Sequence, residues 1–119
     1  MGSLPLTYNH YILATETAIM ASKYGIKCKR EVNLNTVRCD LYNAKYNIAI
    51  EVDTGTETYK TLDDKLERYN RLYNINVVFL TDGSINRAKY FLKNSRNPTA
   101  AGSFKHLEKI FKKIKNNWI

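Results

Sequence analysis

The continuous apolar run INVVFLT at residues 75–81 limits the architecture of this chain more than any other segment. A strand that is apolar at almost every position needs both faces covered, as happens in parallel sheets with helices on either side. The preceding residues, 57–74, carry apolar side chains at spacings of three and four, which is typical of an amphipathic helix. We therefore predict a sheet that is enclosed between two layers of helices.

Three alternating runs precede that helix, between residues 26 and 53. The segments IKCKREVNL, TVRCDLY and YNIAIEVD alternate apolar with polar residues and are joined by short turns rich in asparagine. This pattern predicts an antiparallel meander. In the second run, the alternation predicts that Val37, Cys39 and Leu41 share one face and that Asp40 lies on the other.

Further helices are predicted at residues 8–24, where Gly25 ends the helix, and at about 84–95 and 103–119, the last being basic and amphipathic. The segment NPTAAG between the last two is predicted to be a linker. The expected fold class is α/β (α+β) in the order α-β-β-β-α-β-α-α, with a mixed central sheet and helices on both faces. The 119 residues predict a single domain, and Met1-Gly2-Ser3 is typical of an expression scar.

The positive charge is concentrated in the last part of the chain. Residues 1–85 contain ten Lys/Arg and ten Asp/Glu, whereas residues 86–119 contain nine Lys/Arg and a single Glu, which accounts for the net charge of +8. A one-sided field of this kind attracts polyanions, so DNA is the predicted partner; the alternative is a solvated, lysine-rich helix face. The residues predicted to contact phosphates are Arg87, Lys89, Lys93, Lys105, Lys109 and Lys112.

Other functional classes are disfavoured by composition. No apolar run approaches the ~20 residues that cross a bilayer, which argues against a membrane protein. Cys28 and Cys39 have no metal-ligand spacing and lie within alternating apolar patterns. We therefore expect reduced thiols and a cytoplasmic protein.

Carboxylates on the predicted sheet are the main candidates for chemistry. Glu51 and Asp53 are two residues apart and so project from the same face, and Asp40 lies on the neighbouring strand. Mg²⁺ takes oxygen ligands from one or two carboxylates and completes its shell with water and substrate phosphate. We therefore predict Mg²⁺ or Mn²⁺ as cofactor, with Asp40, Glu51 and Asp53 as metal ligands. For Asp53 the alternative is a hydrogen bond to the amides of the turn at residues 54–56.

Four further residues are candidates for the same site. Glu16 interrupts the apolar stripe of the first helix and is predicted to contact a metal-bound water or the metal; the alternative is a stripe-edge Glu paired with a lysine. Lys65, at the edge of the buried stripe of the second helix, is predicted to stabilise developing charge, or else is a surface lysine. His10 is a general base or a structural histidine, and Glu57 is a site residue or an acid favoured by a helix N-terminus.

The layout of these residues resembles two related groups of proteins. An acid on the first helix, Asp40 and Glu51 on adjacent strands and a following helix are similar to the PD-(D/E)XK nuclease superfamily. Asp53 stands where that superfamily usually has lysine, and Lys65 resembles the lysine that some members carry on the next helix. Over residues 10–92 the chain resembles the nuclease-like domain of the replication-relaxation family, through His10 and Glu16, Cys39-Asp40-Leu41, IEVDTGTE, KLERY and VVFLTDGSINRAKY with Arg87.

The resemblance implies a restriction-endonuclease-like core and a metal-dependent DNA endonuclease of a plasmid, phage or mobile element. The alternative is a catalytically inactive DNA-binding or replication-accessory module with the same fold. In the family, a winged-helix DNA-binding domain precedes the nuclease-like domain. A separate DNA-binding domain or a second copy of the chain is therefore the expected protein partner.

Overall fold

The computed structural model describes residues 6–119, with side chains from Tyr8 onward, so the predicted scar Met1-Gly2-Ser3 lies outside the described residues. The helices and strands follow the chain as α1 (Leu6–Lys23), β1 (Lys29–Asn33), β2 (Arg38–Asn43), β3 (Ile48–Asp53), α2 (Tyr59–Asn70), β4 (Asn76–Thr81), α3 (Ile85–Asn94), β5 (Thr99–Ser103) and α4 (Leu107–Trp118), which is preceded by a 3-10 turn at Phe104–His106. Within this part of the chain, no helix has the length and apolarity needed to span a membrane.

The five strands form one mixed sheet in the spatial order β1-β2-β3-β4-β5. β1, β2 and β3 are antiparallel, and β3, β4 and β5 are parallel. The predicted α/β class with a mixed sheet is confirmed. The predicted linker at residues 97–102 is wrong, because its second half enters β5 and pairs with β4 from Val77–Thr99 to Thr81–Ser103. The observed order is therefore α-β-β-β-α-β-α-β-α.

Apolar cores fill both faces of the sheet. α1 and α4 pack on one face, where Ala14, Ala21, Phe111 and Ile114 meet side chains of β2, β3 and β4. α2 and α3 pack on the other face through Leu62, Leu66, Tyr69, Ala88 and Phe91. All six residues of β3 and the last five of β4 are buried, as the continuous apolar run predicts. The central parallel strands are thus shielded on both sides.

β2 changes face at Asp40. Cys39 packs in the core against α2 and α3, whereas Leu41 packs in the core against α1 and α4, although the two residues are only two positions apart. The prediction that they share a face is therefore wrong. The neighbouring strand is distorted at the same level, since Glu31 has a left-handed backbone with φ of 52°. Paired residues of β2 and β3 end at Leu41 and Ile50.

A pair of glycines fixes the edge of the sheet at which β3 and β4 end. Gly55, in the loop after β3, has φ of +86°, a backbone conformation that residues other than glycine rarely adopt. A Cβ built on Gly55 would lie 2.4 Å from the Cα of Gly83, in the loop after β4. These two loops therefore pack backbone against backbone, which positions the residues at the ends of both strands.

Candidate active site

Asp40 bridges α1 and β3 at the point where β2 changes face. Its Oδ2 accepts a hydrogen bond of 2.7 Å from the main-chain N–H of Val52. In a regular sheet, that N–H would donate to a main-chain carbonyl of the neighbouring strand. Its Oδ1 lies 3.0 Å from Nε2 of His10 on α1. Burial alone would raise the pKa of Asp40, but the hydrogen bond from His10 and its other hydrogen bonds outweigh burial and lower the pKa below its usual range.

Glu51 is held from α2 by two residues spaced one helical turn apart. Tyr69 donates a 2.7 Å hydrogen bond to Oε1 of Glu51, and the Nζ of Lys65 lies 3.3 Å from Oε2. Residues four apart lie on one face of a helix, so both side chains reach the same carboxyl group. Glu51 has 3% of its surface exposed, so this contact is shielded from solvent. The sequence segment KLERY is therefore a two-point support for Glu51.

Asp40 and Glu51 lie on the adjacent strands β2 and β3, close enough for the charge of Asp40 to act on Glu51. Burial, and then the negative charge of Asp40, raise the pKa of Glu51 well above its usual range. Two neighbouring carboxyl groups do not both ionise readily, because their negative charges repel each other and burial weakens their solvation. The environment thus favours the charged form at Asp40 and disfavours it at Glu51.

Lys65 also joins this pair to the loop that follows β3. Its Nζ lies 3.0 Å from Oε2 of Glu57 and 3.3 Å from Oε2 of Glu51. Burial alone would lower the pKa of Lys65, but the charges of Glu51 and Glu57 outweigh it and raise the pKa. Lys65 is therefore a fixed cation beside the carboxyl pair. The structure places it where the sequence predicts, at the acidic cluster.

Asp53 belongs to a second, separate cluster. Arg87 donates to both of its carboxylate oxygens, from Nε at 2.7 Å and from Nη2 at 2.9 Å, and Thr81 donates a third hydrogen bond of 2.6 Å. Burial alone would raise the pKa of Asp53, but these hydrogen bonds outweigh it and lower the pKa. Nη1 of Arg87 also donates to the main-chain oxygen of Glu57 at 2.7 Å. The cluster therefore holds α3 and the loop after β3 against the sheet.

This second cluster corrects two predictions. Asp53 does not fit the role of metal ligand, since a buried arginine donates to both of its oxygens and it does not line the cleft that reaches Asp40. Arg87 does not fit the role of phosphate contact, because it is buried and directed at Asp53. The pair spans 34 residues of sequence, so no local pattern could reveal it.

The structure also corrects the prediction that Glu16 contacts the metal or a metal-bound water. It is exposed, and the side of α1 that packs on the sheet carries the small residues Ala14, Thr17 and Ala21 instead. Glu16 follows His10 by six positions, which is about 240° around a helix, so it points away from the face that reaches Asp40. His10 is the residue by which α1 enters the site. Of the candidate phosphate contacts other than Arg87, all five, Lys89, Lys93, Lys105, Lys109 and Lys112, are exposed.

A cleft of about 550 Å³ opens onto the carboxyl pair. Asp40 and His10 line it on one side, and Thr54, Thr56 and Glu57 from the loop after β3 line another. The cleft therefore gives a ligand access to Asp40, whereas Glu51 and Tyr69 lie behind it.

The donor set at the pair suits a hard divalent cation in type but is small in number. Among residues 6–119, no cluster of three or more His, Cys, Asp or Glu side chains has the arrangement of a metal site. Mg²⁺ commonly keeps several waters and takes only one or two carboxylates from the protein. Asp40 and Glu51 match that requirement, provided that His10 releases Oδ1 of Asp40 and that Glu51 is ionised.

Tyr69 is the site residue that the sequence analysis missed. Its ring belongs to the apolar stripe of α2, which is why the pattern assigned it to the core alone. The available signal was its spacing of four from Lys65, on the same helix face.

The chain was compared with known protein families, curated proteins and solved structures. The model of the replication-relaxation family matches residues 10–87, which include His10, Asp40, Glu51, Lys65 and Tyr69 of the carboxyl site and the buried pair Asp53 and Arg87. No curated protein and no solved structure matches the chain. The matched segment covers well over half of the sequence, from α1 into α3. The chain belongs to the replication-relaxation family, which is associated with the replication or relaxation of plasmids and mobile elements.

Proposed function

We propose that this protein is a Mg²⁺- or Mn²⁺-dependent DNA endonuclease that serves a plasmid, phage or other mobile element. The observation that carries the proposal is the placement of half-buried Asp40 and buried Glu51 on adjacent strands, with the ammonium of Lys65 3.3 Å from Glu51. Burying acids is costly, and acids with perturbed pKa values beside a cleft are candidates for a functional site. The same layout resembles that of PD-(D/E)XK nucleases, with the lysine moved from the strand to the next helix.

Asp40 and Glu51 are the proposed metal ligands. A metal held there would polarise the scissile phosphate and lower the pKa of a bound water. Lys65 stays protonated, because its neighbouring acids raise its pKa, and so stabilises negative charge that develops on the phosphate. Tyr69 fixes Oε1 of Glu51 and thereby sets the orientation of that carboxyl group. His10, which lies 3.0 Å from Oδ1 of Asp40, would have to give up that contact for both acids to hold a metal.

The exposed lysines of α3 and α4 are the proposed general contacts to the DNA backbone. These contacts reach phosphates and not bases, so they carry no sequence preference. Binding through them falls as salt rises, because it depends on charge. The lysines are Lys89, Lys93, Lys105, Lys109 and Lys112. Specificity for a particular DNA then comes from DNA shape, from a separate DNA-binding domain or from a second copy of the chain.

The test is cleavage of supercoiled, relaxed and single-stranded plasmid DNA in Mg²⁺ and in Mn²⁺. The wild type is expected to nick or cut, and Asp40→Asn, Glu51→Gln and Lys65→Met are expected to lose activity by orders of magnitude. Asp64→Asn is the matched control, because Asp64 is an exposed carboxylate on the same helix as Lys65. Absence of cutting by the wild type on every DNA form, or equal cutting by Asp40→Asn, would refute the proposal.

A second function, DNA binding without cleavage, is favoured by one specific observation. In the metal-free protein, every oxygen of Asp40 and Glu51 is already engaged, by His10, Val52, Tyr69 and Lys65. If the site is purely structural, Asp40→Asn should bind DNA as the wild type does, and neither protein should bind Mn²⁺ or cut DNA. Metal-dependent cutting that is lost in Asp40→Asn would exclude this alternative.

A further inference from the structure

The cleft beside the carboxyl pair has an aromatic and cationic wall that the proposed chemistry does not use. Tyr11 follows His10 on α1, is 59% exposed and lines the cleft together with Arg30 of β1. The guanidinium carbon of Arg30 lies 4.4 Å from the centre of the Tyr11 ring. One face of the ring is thus covered by a cation, and the large exposed fraction leaves the remaining surface open to the cleft.

Hydrogen bonds hold the guanidinium of Arg30 beside Tyr11. Nη1 of Arg30 donates a 2.7 Å hydrogen bond to Oγ1 of Thr15, and Nη2 donates to the main-chain oxygen of Tyr11 at 3.3 Å. Thr15 itself donates to that same oxygen at 2.9 Å. The guanidinium is therefore positioned beside the Tyr11 ring before any ligand arrives, which reduces the entropy that binding has to overcome.

The charges around the cleft favour an anion at Arg30. Three acids line the cleft, and each has a basic partner: Glu31 lies 3.5 Å from Arg38, Glu57 lies 3.0 Å from Lys65, and Asp40 lies 3.0 Å from His10. Arg30 has no carboxylate partner among the described residues. Arg30 also pairs in register with Leu41, the residue next to Asp40. An anion at Arg30 is thus one residue along the sheet from the carboxyl pair.

We propose that the cleft binds single-stranded DNA, with one base stacked on Tyr11 and the adjoining phosphate directed by Arg30 toward Asp40 and Glu51. This proposal rests on the proposed function for its choice of DNA. In an intact duplex, each base face is covered by its neighbours, so only an unpaired or extruded base presents a face to an exposed ring. A nicked, frayed or melted segment is therefore the substrate form that the cleft fits.

The experiment measures binding in EDTA, so that cleavage plays no part. Fluorescence anisotropy compares a labelled single-stranded oligodeoxynucleotide with its blunt duplex and with a strand of equal length and charge that lacks bases. The wild type is expected to bind the base-bearing strand most tightly. Tyr11→Ala is expected to weaken that binding by about five-fold or more and to bring it level with the abasic strand. Tyr11→Phe, which keeps the ring, is expected to retain the preference.

Tyr73→Ala is the matched control, since Tyr73 is also an exposed tyrosine, at 86%, and does not line the cleft. Equal binding of base-bearing and abasic strands by the wild type, tighter binding of the duplex, or no effect of Tyr11→Ala would overturn the proposal. A protein that shows the stacking preference but never cuts would lose the nuclease proposal alone. A protein that cuts duplex DNA regardless of Tyr11→Ala would lose the single-strand proposal alone.

Discussion

Removal of Arg87 is expected to destabilise the fold severely, although the residue lies outside the proposed catalytic centre. The side chains of Arg87 and Asp53 are 6% and 3% exposed, and the guanidinium donates to both carboxylate oxygens and to the main-chain oxygen of Glu57. In Arg87→Ala, the carboxylate of Asp53 stays buried with Thr81 as its remaining side-chain donor. Removing one partner of a buried pair costs about 3–5 kcal/mol.

That magnitude is a large share of the ~5–15 kcal/mol that stabilises a typical domain. At roughly 4 °C per kcal/mol for a chain of this size, we expect the midpoint of thermal unfolding to fall by about 12–20 °C. Arg87→Lys, which keeps the charge but not the fork of donors, is expected to lie between the wild type and Arg87→Ala. The double variant Asp53→Ala/Arg87→Ala is expected to lose less than the sum of the single changes, because no unpaired charge remains.

Thermal unfolding and urea unfolding are both followed by the fluorescence of Trp118, which packs against the core on the α4 side. The matched control is Arg71→Ala, since Arg71 also lies 2.7 Å from a carboxylate, that of Glu67, but both side chains are more than 60% exposed. That variant should lose only about 0.3–0.5 kcal/mol. Similar losses for Arg87→Ala and Arg71→Ala would refute the reasoning, because burial would then make no difference to the strength of the pair.

Further outcomes follow from the same contacts. The lowered pKa of Asp53 makes its contribution to stability present above the unfolded-state pKa and lost as pH falls, so the difference in unfolding free energy between the wild type and Asp53→Asn should shrink below about pH 4 in urea titrations. Gly55→Ala should destabilise far more than Gly25→Ala in thermal unfolding, because both have positive φ but only Gly55 would place a Cβ against backbone, and equal losses would contradict the close approach to Gly83. The raised pKa of His10, caused first by its hydrogen bond to Asp40, should fall toward the ordinary value of about 6.5 in Asp40→Asn when the imidazole is titrated by NMR; an unchanged pKa would mean that the contact is absent in solution.

The sequence predicted the layered arrangement because local patterns determine it. Alternation marks β1 to β3, the run at 75–81 marks β4, and Gly25 and Ser84 lie at helix boundaries. β5 was missed because its residues, TAAGS, are small and do not alternate, and the strand exists through parallel pairing with β4. That pairing is non-local, so no property of the segment itself indicates it.

The same difference between local patterns and non-local contacts explains which residues of the candidate site were predicted. Asp40, Glu51 and Lys65 come together as predicted because the hairpin pairs β2 with β3 and helix spacing turns Lys65 toward the sheet. The alternation in β2 did not indicate the change of face at Asp40. Glu16 was misplaced because α1 packs through small residues, so the large apolar side chains gave the wrong helix phase. Asp53 was misplaced because its partner, Arg87, is far away in sequence and becomes a neighbour only once β3 and β4 pair.

The most direct measurement is anomalous diffraction from crystals soaked in Mn²⁺. A peak is predicted within metal–oxygen bonding distance of both Asp40 and Glu51, with the imidazole of His10 displaced from Oδ1 of Asp40, and the peak should be absent in Glu51→Gln. If no peak lies between these carboxylates at Mn²⁺ concentrations that support DNA cleavage, and His10 remains on Asp40, the carboxyl pair is not the metal site and the account of the active site is contradicted.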